Sequence, residues 1–166
     1  MKNRRERGAS MVEFVIAGIA GITLMISTIQ MGMAMWNYHT LAEAIHETNR
    51  YAASHGRGCN SSGCNITVAD IVAKLRAVAV GIPASNINLT LTSTTQSRTC
   101  NPITSCTSDT TQWPPNDNFD NGAGNYTTMT GKVVVKSVLI NLWYGISGQR
   151  RDSIAMTSTS SVPIVF

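Results

Sequence analysis

Three groups of residues have types and spacings that could do chemistry. Glu13 is a single carboxylate at the mouth of an uncharged apolar run, Phe14–Trp36. Deep in a bilayer such a charge costs on the order of 3 kcal/mol. Near a helix end the cost is smaller, and an acid in the first turn complements the helix dipole. Glu13 is therefore either a tolerated interfacial acid or a charge with a partner. His39, Glu43 and His46 recur at i, i+4 and i+7, on one helix face. Imidazole and carboxylate at that spacing could hold a divalent cation. No further ligand is near in sequence and "HETNR" is not a zinc-protease signature, so a polar face is the plainer reading and no metal site is expected. The third group is the cysteines, Cys59 with Cys64 and Cys100 with Cys106, each pair inside a polar loop. Four thiolates could bind zinc, but these spacings are looser than compact zinc signatures. Two local disulfides in an oxidising compartment are favoured, and proximity favours Cys59–Cys64 and Cys100–Cys106 among three connectivities.

No other chemistry emerges. None of the serines sits in a GxSxG elbow, and neither a phosphate loop nor a dinucleotide fingerprint is present. An enzyme is not expected, nor a cofactor. The basic balance, +4 over 166 residues, does not indicate nucleic acid. Lys2, Arg4, Arg5 and Arg7 supply much of it within the first eight residues, and the remainder is close to neutral.

The elements that position these residues follow from periodicity. Phe14–Trp36 spans about 34 Å as a helix, enough to cross a hydrocarbon core. Trp36 and Tyr38 lie at its far end, where aromatics suit the interface. With the basic cluster before it, the positive-inside rule puts the N-terminus in the cytoplasm and the cysteines outside. A cleaved secretory signal is the rival reading, but its apolar core is usually about 7–15 residues. Leu41, Ile45, Thr48 and Ala52 keep helical spacing, so one helix is expected over 9–54, ended by Gly56 and Gly58. Its Glu43 and Glu47 form a repulsive i, i+4 pair.

A second helix starts at Thr67 with Asp70 three residues on, buries Ile71, Leu75 and Val78, and ends at Gly81 and Pro83. "NINLTLTST" at Asn86–Thr94 alternates as a half-buried strand. Residues 96–128 read as a long polar loop. Gly131–Tyr144 is the strongest strand by β-branched content, and Asp152–Val162 is a weaker one at an edge. The short connection between them predicts an antiparallel hairpin.

A basic leader, Gly8, "ASMVEF" and an apolar helix together resemble a type IV pilin-like N-terminus. With "NRYAA" at Asn49–Ala53, the resemblance narrows to the TadE-like family of pilin-like (pseudopilin) components of tight-adherence (Flp) type IV pilus systems. The resemblance is strong over residues 4–54 and weaker beyond. It implies that a prepilin peptidase cuts between Gly8 and Ala9. It further implies that Glu13, fifth from Ala9, meets the new N-terminal amine of a neighbouring subunit. Expected partners are the membrane, other pilin or pseudopilin subunits, the peptidase and the assembly platform.

The expected fold is α+β. A cytoplasmic leader (1–8) precedes a long helix (9–54, membrane part about 14–36). A periplasmic domain (55–166) follows, with a helix on an antiparallel sheet of about three strands. The expected function is a minor structural component of a tight-adherence pilus and of adhesion. The expected location is the bacterial inner membrane, single-pass. The alternative is an uncleaved, membrane-anchored periplasmic binding or adhesion module.

Overall fold

A computed structural model describes residues 4–55, 65–115, 120, 122–136 and 153–164. Two compact units arise, Met1–Met35 and Trp36–Phe166. The first helix, α1, is Arg4–Ala53 and contributes to both. It is helical already at Arg4, upstream of Ala9, because the charged residues there are good helix formers and Gly8 alone costs only about 1 kcal/mol. Within it, Ser10–Ala53 is long and apolar enough to cross a membrane. The hydroxyls of Thr23, Ser27 and Thr28 do not oppose that. Thr23 donates to the Ile19 carbonyl at 2.8 Å, Ser27 to Thr23 at 2.7 Å and Thr28 to Met25 at 2.8 Å. Each finds an acceptor in its own helix, as an apolar surrounding demands.

In the second unit α1 becomes amphipathic. Leu41, Ala44, Ile45, Thr48, Asn49, Ala52 and Ala53 are buried, a stripe at i, i+3 and i+4 spacing. The second helix, α2, is Val68–Val78 and buries Val68, Ile71, Val72 and Leu75. Its start is the expected one. Asp70 N–H donates to Thr67 Oγ1, and Asp70 Oδ2 accepts from the Thr67 N–H at 2.8 Å, a reciprocal capping box. The next two N–H groups are also satisfied, Val68 by the Thr111 carbonyl at 2.8 Å and Ala69 by the Asp109 carbonyl at 3.0 Å.

Among the described residues, four antiparallel strands form one sheet: β1 (Ile87–Thr92), β2 (Ser97–Cys100), β3 (Tyr126–Lys136) and β4 (Ser153–Pro163), in the order β2-β1-β3-β4. The fold is α+β as expected, with one strand more than anticipated. β2 lies inside the presumed loop. Its burial runs exposed, exposed, exposed, buried, so no alternation betrays it. The strand is made instead by a turn in which the Ser93 N–H meets the Gln96 carbonyl at 2.9 Å. β3 begins at Tyr126 rather than Gly131, and β4 pairs with it in antiparallel register from Tyr126↔Pro163 to Lys136↔Ser153. The stretch 137–144 and the connection to β4 lie outside the described residues.

Ile87, Leu89 and Leu91 of β1, with Met129 and Val133 of β3, make the inner face of the sheet. Leu41 and Ile45 of α1 rest on Gly131, the middle of β3. A Cβ there would stand 2.6 Å from Ile45 Cδ1 and 2.7 Å from Cγ1. The absence of a side chain lets the helix settle directly onto the strand.

Candidate functional site

The N-terminal part of α1 carries the expected processing residues. Gly8 and Ala9 lie in continuous helix, and Glu13 is one turn beyond Ala9. Glu13 is exposed among Met11, Val12, Phe14, Val15 and Ile16, which are exposed by 50 to 79%. Among the described residues it has no ion pair. A carboxylate set in such a surface needs a counter-charge or must remain hydrated at a membrane boundary.

The C-terminal part of α1 is a second, polar feature. The Asn49 Nδ2 donates to the Thr127 carbonyl of β3 at 3.1 Å and to the Ser160 carbonyl of β4 at 2.9 Å. Asn49 is fully buried, so these bonds form away from water, where leaving a carboxamide unpaired is costly. Its Oδ1 and the neighbouring Thr48 hydroxyl have no partner among the described residues. His46 Nδ1 lies 3.2 Å from Ser160 Oγ, at the edge of the same clasp. Sequence reading passed over Asn49 as a site. Its only signal was a polar residue at a position where the apolar stripe returns.

The other candidates fall out as follows. Among the described residues no three His, Cys, Asp or Glu side chains come together as a metal site, and His46 is turned toward β4. Glu47 finds a cation across the fold, Lys74 Nζ at 2.7 Å on α2, which offsets its repulsion with Glu43. An open groove of about 430 Å³ lies there, lined by Glu47, Arg50, Tyr51, Ser54, Lys74 and Val162. Cys100 and Cys106 are joined, with Cα atoms 5.7 Å apart, and tie the end of β2 to a 3-10 turn at Ile103–Cys106. Cys59 and Cys64 lie outside the described residues.

Arg98 of β2 reaches Asp109 at 3.5 Å and donates to Thr111 Oγ1 at 3.0 Å. Hydrogen bonds from the Thr111 hydroxyl and N–H, with the Arg98 charge behind them, hold the Asp109 carboxyl below its ordinary value. The Thr67 N–H and hydroxyl do the same for Asp70. Each acid is held by hydrogen bonds from a neighbouring threonine.

The family model described as TadE-like protein matches residues 8–50. Neither a curated protein nor a solved structure matches the chain. The matched stretch opens at Gly8, contains Glu13, and closes just past Asn49. It therefore covers both features of α1 and stops before the sheet.

Proposed function

We propose that this chain, whose residues 8–50 match the TadE-like family model and whose first helix is long and apolar enough to cross a membrane, is a membrane-anchored, pilus-associated protein. This is a minor pilin-like structural component of a tight-adherence type IV pilus. It is made as a precursor, inserted in the inner membrane with residues 1–8 in the cytoplasm, and cut by a prepilin peptidase between Gly8 and Ala9. The domain beyond the helix lies in the periplasm and contacts other subunits. Cys59 and Cys64 form a second local disulfide there.

The observation that carries this reading is the placement of Glu13. It is an exposed acid one helical turn after Ala9, at the start of an otherwise uncharged run, within the matched segment. The cut after Gly8 removes the basic leader and creates an amine at Ala9. An α-amino group has an ordinary pKa of about 7.7–8.0 and is mostly cationic at neutral pH. Glu13 of one subunit and the Ala9 amine of the next each cost several kcal/mol unpaired in an apolar bundle, and together they offset that cost. A register between helices follows from this, since only one axial stagger brings the two charges together.

Intact mass and N-terminal sequencing of the protein from native membranes test the reading. A chain beginning at Ala9 is expected. One beginning at Met1 would leave an uncleaved anchored module and remove the free amine on which the role of Glu13 depends.

A further inference from the structure

Among the described residues, the sheet has two edges, β2 and β4, and they are built in opposite ways. The β2 edge is blunted: four residues long, with Arg98 inside it, Pro102 after it and the Cys100–Cys106 disulfide at its end. These are devices by which natural sheets refuse a further strand. The β4 edge has eleven residues, Ser153–Pro163, and none is charged. No lysine and no bulge interrupts its register with β3, and its one proline is the last residue.

The hydrogen-bond phase of this edge follows from one bond. The Ile164 N–H donates to the Asn125 carbonyl directly opposite, at 2.7 Å. Bonded and non-bonded pairs alternate along an antiparallel ladder. Val162, Ser160, Ser158 and Met156 therefore spend their backbone groups on β3. Ser161, Thr159, Thr157 and Ala155 turn theirs outward. Pro163 falls in the outward phase, where its missing N–H costs the ladder nothing. Among the described residues, the N–H and C=O groups of those four outward residues have no partner. They recur every second residue, about 7 Å apart.

We propose that the outer edge of β4 is a strand-addition site for an extended, uncharged segment of another pilus subunit. Only an extended chain presents donors and acceptors at this repeat. The face on which α1 packs offers Ile154, 45% exposed, with Met156 and Val162 half-buried, and the opposite face offers Ala155, Thr157, Thr159 and Ser161. An incoming strand that alternates apolar residues with small or hydroxyl ones matches both faces, and a charged one does not.

Naming a pilus subunit as the source rests on the function proposed above.

The test uses the full chain in cells that carry the pilus machinery, with the photo-crosslinker benzoylphenylalanine at Thr157. The expected product joins position 157 to an extended stretch of another pilus subunit. Thr159→Pro removes one outward N–H and sets a ring in the path of the incoming strand, and the yield falls about tenfold or more. Thr99→Pro, at an outward position of β2, leaves the yield unchanged. Circular dichroism of Thr159→Pro stays near wild type, since the Thr159 N–H is not spent on β3, and its melting temperature falls only by the loss of the exposed hydroxyl bond to Thr130 at 3.1 Å, a loss that Thr159→Ala reproduces without lowering the yield. With the crosslinker moved to Thr159, Thr157→Lys lowers the yield without a backbone change. The absence of a cross-link, a product joining two copies of this chain, or a yield indifferent to both β4 variants overturns the proposal. A mature chain starting at Met1 counts against the pilus reading, while wild-type cross-linking in Thr159→Pro counts against the edge alone.

Discussion

Gly131→Ala tests the docking of α1 most directly. The added Cβ would meet Ile45 Cδ1 at 2.6 Å, Ile45 Cγ1 at 2.7 Å and Leu41 Cδ1 at 3.3 Å. A single clash with a terminal methyl could be relieved by turning χ2. The second contact is with Cγ1, which moves only with χ1, and a β-branched side chain in a helix has one preferred χ1 well. The remaining escape is a shift of α1 off β3, which also stretches the two bonds from Asn49. Overpacking of this kind costs about 1–3 kcal/mol, and replacing glycine by alanine in a strand returns less than about 1 kcal/mol. A net loss of about 2 kcal/mol is expected, roughly 5–10 °C in Tm for a domain of this size.

Thermal unfolding in detergent, followed by far-UV circular dichroism and by tryptophan emission, reads it out, since Trp113 is fully buried. Ile45→Ala opens room at the same place and costs about 2–5 kcal/mol alone. The double variant should then be markedly less destabilised than the two losses added together. A Gly131→Ala protein as stable as wild type, or a strictly additive double variant, would refute the close packing of helix on strand.

Two further outcomes follow from the same domain. Asn49→Asp keeps shape but replaces the donor by an acceptor facing two carbonyls, so it should cost more than Asn49→Ala, which itself loses about 1–3 kcal/mol in urea unfolding. Thr67→Ala should cost about 1 kcal/mol by removing the cap of α2. The Asp70 carboxyl is held below its ordinary value by Thr67, so its contribution is full above the unfolded carboxylate value of about 3.9 and is lost as pH falls through the lower folded value. Asp70→Asn, which does not titrate there, should therefore be less stable than wild type at neutral pH. Unfolding curves taken down the acid range should show that difference closing.

Much of the framework was readable because local chemistry and tertiary environment agree. Thr67 with Asp70 announces a helix start, and the same two side chains make the cap. The spacing of Leu41, Ile45, Thr48 and Ala52 announces a buried face, and all four are buried. β3 was read from Gly131 onward because its first half hides its inner face. Thr127 turns inward to accept the Trp113 Nε1–H at 3.4 Å, and Gly131 is bare where the helix needs room. Neither is apolar, so in this half of the strand Met129 alone carries the alternation. β2 was missed because it is held by backbone pairing to β1, with three of its four side chains exposed. Asn49 was illegible as a clasp, since its acceptors lie 78 and 111 residues away. The resemblance over residues 4–54 agrees with the family match at residues 8–50. Beyond it, local patterning carried the reading.

The seat of Ile45 on Gly131, with Asn49 bonded to two strands at once, has a mechanical meaning. A tensile load travelling along α1 meets the sheet over residues 41–49, about 12 Å of helix. The helix lies along the surface it grips, so that load does not lift one contact after another from an end. It acts on Leu41, Ile45 and the Asn49 bonds together, in shear. The Ile45 side chain over a bare glycine works as a detent, because sliding in either direction drives it against a residue that has a Cβ. The joint should therefore yield in one step at a high force, where a peeled strand of equal stability would yield gradually at a low one.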